Sequence, residues 1–292
     1  MINQFIVNGI IAGSVYTLVA VGFALIYRTV RFFHFAHGIV FTAGAYFTYF
    51  FKAWLGWPLI IAVPASIGLC GVLGVLIEVS VYRLLRHKGS SALILLMASL
   101  GIYIVLQNLI SMVFGDDTKI IRSGMVKEGI HFLGARITPI QITIIIVSLL
   151  LVTSFFLFLK YTKAGRSVRA VANNLELAQM TGINSDRVIF WAIALGSVLA
   201  GIAGILVAMD VDMTPTMGMN ALLMGVAAVI IGGVDSLPGV ALGALLLGMA
   251  QHLGVWKISS QWQDAIAFFI LLMFLLFRPR GFLGKRVKKV SV

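Results

Sequence analysis

His34 and His37 stand at i and i+3, a spacing that lets two imidazoles share one face of a helix and one metal ion. No cysteine or carboxylate lies near them, so a structural or hydrogen-bonding role at the end of a membrane span is the better reading. His252 falls inside an apolar run, where it could line a pathway or pack with its ring bonded; His87 and His131 fall in loops. Phosphate chemistry is missing. Gly284-Lys285 lacks the upstream glycine of a phosphate-binding loop, and Arg286 follows where Ser or Thr is needed. No GxSxG, HExxH or CxxC occurs, and the single cysteine, Cys70, can form no internal disulfide. Of the ten Asp and Glu residues, only Glu78 falls clearly inside an expected span, about one turn before Tyr82 and Arg83. Carriers driven by protons or sodium use ionisable groups at mid-membrane. Glu78 with Arg83 reads instead as a structural ion pair near an inner end. No charged ring or filter-like motif suggests a channel. Transport by this chain would need energy from a partner.

These residues sit in a chain of 292, of which 60% are hydrophobic and 11% charged. Soluble domains are about half apolar and a quarter charged, so the composition implies an all-α, polytopic membrane helix bundle. A net charge of +12 would suggest nucleic acid in a soluble protein. Here the charges lie in short loops between apolar runs, and membrane topology explains them without a nucleic-acid partner. The N-terminal MINQ carries no basic residue, which favours a retained first span over a cleaved signal.

A span takes about 20 apolar residues. That length gives eight to nine candidates: roughly 4–27, 33–51, 58–82, 91–114, 138–159, 188–209, 218–233, 238–255 and 262–277. The stretches 33–51 and 218–255 are rich in glycine and could be broken or re-entrant. Placing the C-terminus inside puts 16 of the 22 basic residues there: Arg28 and Arg31; Arg83, Arg86 and Lys88; five between 160 and 187; and six from Arg278 onward. The asymmetry predicts a periplasmic N-terminus and a cytoplasmic C-terminus. Residues 115–137 form the one sizeable outer segment, alternating polar and apolar residues around glycines as a small hairpin would. Asp210 and Asp212 mark a second outer loop. Residues 1–292 make a single membrane domain. Gly9–Tyr27 with the glycine-rich 36–46 faintly echoes Gly196–Met209 with 218–250, as an internal repeat would; close helix packing alone also accounts for such glycines.

The longest polar break expected on the inner side is 160–187, with a net charge of +3. A helix opened by Thr162 or Lys163 places Val168, Val171, Ala172 and Leu175 on one apolar face, with Arg166, Arg169 and Asn173 opposite. Gly182 stops a second short helix running from Leu175 to Thr181. Such a pair suits a partner protein; a solvated loop obeying the charge rule is the other reading.

Several motifs in order resemble the branched-chain amino acid ABC transporter permeases, a family that also contains urea and short-chain amide permeases. Phe35-Ala36-His37-Gly38 resembles NFAHGE, with His34 for the usual Asn and Ile39 for the usual acid. Glu78–Arg86 resembles ERxxYRPLR, departing at Val79 and Leu84, and Leu106-Gln107-Asn108-Leu109 with Phe114-Gly115 resembles LQNL…FG. Gly165-Arg166, Arg169-Ala170, Asn173, Ala178 and Gly182-Ile183-Asn184 resemble the loop that docks into the ATPase subunit. Leu199–Gly204 follows as LAGxAG does; 232–239 resembles GGxGSxPG with Asp235 for Gly, and 276–281 resembles LxFRPxG.

The resemblance implies a multi-pass permease subunit of the bacterial inner membrane, not an enzyme. It would pair with a related second permease as a heterodimer, two ATPases and a periplasmic solute-binding protein. ATP and Mg would be bound by the partners, and this chain would hold no cofactor or metal. Expected coupling residues are Gly165, Arg166, Val168, Arg169, Ala170, Val171, Asn173, Leu175, Ala178 and Gly182, with the valines and Leu175 as anchors. The pathway is expected among the glycine-rich helices, at His37, Gly38, Gly44, Gly225, Gly232, Gly233 and Pro238. A urea or short-amide permease is the alternative within the family; an independent carrier or channel is the alternative outside it.

Overall fold

The computed structural model describes residues 2–122, 129–132 and 134–284. Lys127 of the expected outer segment and the basic tail from residue 285 lie outside the described residues. Among the described residues, seven helices are long and apolar enough to cross a membrane: Ile2–Val30 (α1), Leu59–His87, Ala92–Phe114 (α5), Pro139–Tyr161 (α6), Ser185–Asp210 (α9), Leu237–Gly254 (α11) and Ser260–Phe277. Leu59–His87 is one rod built of α3 (Leu59–Ile77), a wide π turn over Glu78–Tyr82, and α4 (Arg83–His87). The α-helical part of the last span is α12, Gln263–Phe277. Two expected spans are shorter than a full crossing. α2 (Ala36–Tyr49) has 14 residues before it loosens into a π turn at Phe50–Trp54, and α10 (Met217–Gly232) has 16. The glycine-rich 218–255 divides at 233–236, where α10 ends and α11 begins.

α1 is apolar around its whole circumference, and a helix of that kind belongs in a core. Its residues Leu18 to Ile26 are almost fully buried against α9, α10, α11 and α6. Outer helices instead expose large apolar side chains, such as Met97 and Met112 on α5, Leu149 and Leu150 on α6, and Leu276 on α12. Hydrocarbon solvates such a surface at no cost, which is why it persists in a bilayer.

Small residues set the distance between the inner helices. A Cβ on Gly13 would stand 2.9 Å from Leu245 Cα, so α1 and α11 touch backbone to backbone. α1 and α9 meet reciprocally, because a Cβ on Gly22 or on Gly196 would each lie 2.9 Å from the other's carbonyl oxygen.

The two ends of the bundle differ. One carries the hairpin β1 (Ile130–Phe132) and β2 (Ala135–Ile137), with Ile130 opposite Ile137. The expected outer hairpin thus occupies the last part of 115–137. Gln4 holds it to α1, donating to the Arg136 carbonyl (3.0 Å) and accepting from the Arg136 N–H (2.7 Å). Lys119 and Met213 exchange backbone hydrogen bonds nearby. The opposite end carries α7 (Lys163–Asn173) and α8 (Leu175–Met180). There the chain after α12 returns, with Phe282 N–H donating to the Ile231 carbonyl (2.8 Å) at the end of α10.

Candidate functional site

The polar break between α6 and α9 folds into a compact helix–turn–helix in which every junction is closed by a side chain. Thr162 ends α6 and caps α7, its hydroxyl oxygen accepting from Gly165 N–H at 2.9 Å. Gly165 is required by contact, since a Cβ there would lie 2.6 Å from Leu159 Cα. Asn174 caps α8 by accepting from Leu177 N–H, and Asn184 caps α9 by accepting from Arg187 N–H, both at 3.0 Å. Gly182, at φ 83°, closes α8. Its N–H donates to the Gln179 carbonyl and that of Ile183 to the Ala178 carbonyl, the paired bonds of a Schellman end.

All ten expected coupling residues fall in this element, but their roles divide. Val168 and Val171 are buried against the chain's own core, and Ala178 is buried beneath α8. The two valines, expected as anchors for a partner, instead anchor the element to its own bundle. Leu175 leaves their face because Asn174 breaks the helix; Asn there competes better as a cap than as an interior residue. Ala170 is half-buried, and Asn173 is exposed. Arg169 is also spent internally, its guanidinium donating to the carbonyls of Leu159 and Lys160 in the last turn of α6. Those carbonyls have no intrahelical partner, so the arginine satisfies the end of one helix from the middle of the next. Arg166 is exposed, with no side-chain partner among the described residues. Leu177 and Met180 are exposed at 59% and 82%.

Two further residues join the element, and sequence reasoning passed over both. Arg31 takes a left-handed conformation (φ 59°) at the end of α1, and its guanidinium donates to the carbonyls of Ala172 (2.7 Å) and Asn173 (3.0 Å). Asp186, in the first turn of α9, meets His87 at 3.1 Å, Arg86 at 3.5 Å and Arg83 at 3.7 Å. Glu78 therefore pairs with Arg86 (3.1 Å to Nη1) and not with Arg83. The π turn over Glu78–Tyr82 absorbs one residue, which brings 78 and 86 onto one face two turns apart, while Arg83 turns to Asp186.

The residues expected to line a pathway are packing residues. His37 is buried with Nε2 3.1 Å from the Val19 carbonyl, and His34 Nδ1 lies 3.1 Å from the Tyr82 hydroxyl, so the two rings have separate partners. Among the described residues no group of three His, Cys, Asp or Glu side chains could hold a metal. Gly38 faces Gly218, Gly44 faces Gly201, Gly225 faces Val19, Gly232 faces Val240 and Gly233 faces Arg280. Pro238 sits in the first turn of α11.

A cavity of about 560 Å³ lies elsewhere, toward the hairpin end. It is walled by α1, α6, α9, α10, α11 and α12, with Phe41 of α2. Asp210 and Asp264 both reach it, with Asn220 donating to the Asp264 carboxylate at 3.2 Å. Tyr16, Gln251 and Gln141 line the same cavity. Asp210 had read as a loop residue. A usable signal was the pairing of Gln251-His252 with Gln263-Asp264, polar pairs at the facing ends of consecutive apolar runs.

Residues 5–276 match the family model described as branched-chain amino acid transport system / permease component. The chain is 33% identical to the high-affinity branched-chain amino acid transport system permease protein LivH of Escherichia coli (strain K12), over 98% of this chain and 97% of that protein. It is 34% identical to the corresponding permease protein BraD of Pseudomonas aeruginosa, with the same coverage. Among solved structures, PsaBC from Streptococcus pneumoniae in complex with Fab aligns over 95% of this chain and 92% of that chain, with a TM-score of 0.50 and 14% identity. That likeness is one of fold. With nearly its whole length matched, this chain belongs to the branched-chain amino acid transport system permease family.

Proposed function

We propose that this chain is the translocation subunit of an ABC importer for branched-chain amino acids, and that α7 and α8 are where an ATPase subunit grips it. Permeases of this family catalyse no reaction and carry no cofactor; ATP is hydrolysed on partner ATPases. The observation that supports docking is the exposure of Leu177 and Met180 on a short helix capped at both ends. Apolar side chains held rigidly in water favour burial against a partner. Arg166, exposed on α7, adds a charge with no side-chain partner among the described residues.

The orientation follows the basic residues: the α7–α8 end is cytoplasmic, and the hairpin end and N-terminus are periplasmic. In this arrangement a second related permease completes the membrane unit, two ATPases attach at the α7–α8 end, and a solute-binding protein delivers substrate at the hairpin end of the inner-membrane complex.

The test is reconstitution of the co-purified complex in proteoliposomes. Leucine uptake should require ATP and the binding protein, and Leu177→Glu with Met180→Glu should abolish co-purification of the ATPase. Leucine flux through the chain alone, or full ATPase retention by the double variant, would refute the reading.

A further inference from the structure

The cavity at the hairpin end combines three features that select one kind of ligand. First, both of its formal charges are negative: Asp210 and Asp264 reach it, and no Lys or Arg lines it. Second, Gln251 is only 3% exposed, and its Oε1 accepts no hydrogen bond within 3.5 Å, with the Tyr16 hydroxyl close to the same side chain. Its amide nitrogen is occupied, donating to Met224 Sδ (3.4 Å) and the Gln263 carbonyl (3.3 Å). The carbonyl oxygen is thus left as a buried acceptor beside the cavity, a group that is costly to leave unsatisfied. Third, the lining includes aliphatic side chains, with Ile11 and Val15 of α1, Ile144 of α6 and Val207 of α9.

Two carboxylates and an orphaned carbonyl oxygen are all acceptors. A ligand that satisfies them brings several N–H donors and a positive charge, as a primary ammonium does. A volume of about 560 Å³ falls within the range of small-molecule pockets, about 300–1,000 Å³. We infer that this cavity is a substrate station for an aliphatic α-amino acid, with Asp264 and the Gln251 carbonyl receiving the ammonium, the lining amides of Asn8 and Gln141 serving as donors to the α-carboxylate, and Ile11, Ile144 and Val207 receiving the side chain. The ammonium, rather than the side chain, is what this chain reads through a charge. The inference rests on the reading of the chain as an amino-acid permease.

The test uses the assembled importer in nanodiscs and in proteoliposomes. Cys70 is buried, so an Ala12→Cys variant places on the cavity wall the one accessible thiol of this chain, read by its own labelled band. Leucine should slow modification of that thiol by a maleimide, and 4-methylpentanoate, which lacks only the ammonium, should not. Equal protection by both, or by neither, overturns the inference. Asp264→Asn and Gln251→Met should each lower leucine uptake per ATP hydrolysed at least about tenfold, the loss expected for a charge-assisted hydrogen bond. Asp264→Glu should recover part of it. Uptake per ATP unchanged in both variants, with wild-type uptake intact, sinks the station alone. A wild-type complex that moves no amino acid sinks the permease reading, and the station with it.

Discussion

Arg169 of α7 donates its guanidinium to the carbonyl of Leu159 in the last turn of α6, so two consecutive helices are locked at the bend between them. Truncation to Ala leaves the Leu159 and Lys160 carbonyls without that donor. The expected cost is about 1–3 kcal/mol, visible as a lower melting temperature of the purified complex. Arg166→Ala, one turn away, should leave the melting temperature unchanged and weaken only ATPase retention. Equal melting shifts for the two variants would contradict this division.

Arg31 makes a different kind of joint. Its left-handed backbone conformation is strained for a residue with a Cβ, by about 1–3 kcal/mol, and glycine would relieve the strain. Arg31→Gly should therefore melt no lower than Arg31→Ala, yet both should lose the bonds to Ala172 and Asn173. The expected phenotype is ATP hydrolysis that persists with leucine uptake per ATP reduced severalfold. Reconstituted flux measured alongside phosphate release decides it.

Glu78 is almost fully buried, and Arg86 is its partner. Removing one member of a buried pair costs about 3–5 kcal/mol because the other charge stays behind. Glu78→Gln should thus reduce the yield of folded protein sharply. Arg83→Ala, which removes a half-exposed contact to Asp186, should cost no more than about 1 kcal/mol. Size-exclusion profiles of the two variants in detergent make the comparison.

Gly44 lies against Gly201 with no room for a side chain, since a Cβ would meet the Gly201 Cα at 2.8 Å. Gly44→Leu should prevent assembly outright, whereas Gly68→Ala, where a Cβ meets nothing within 4 Å, should be neutral. Membrane levels of the tagged variants report the outcome.

The α7–α8 helix pair was legible in the sequence because its signals are local: Thr162 as a cap, a 3.6-residue apolar period, and Gly182 as a stop. The period fails at Leu175, and the reason is also local, since Asn174 begins a new helix. Partner choice was harder to read. Arg166 and Arg169 look alike in the sequence, and only the return of α7 onto the end of α6 separates them. The glycines of 36–46 and 218–243 mark where helices touch, because close approach and an open pathway both call for small residues and periodicity cannot tell them apart. The cavity was the least legible feature. Its walls take a few residues from each of several helices, and only two short stretches, 207–221 and 251–264, bring lining residues of consecutive helices together.

α1 runs unbroken for 29 residues, about 43 Å at 1.5 Å per residue. One end is tied through Arg31 to α7, and near the other Asn8 and Ile11 form part of the cavity wall. The innermost helix therefore joins the two faces of the molecule as one continuous rod. Under the docking we propose, a push delivered to α7 would reach the cavity along a single stiff axis.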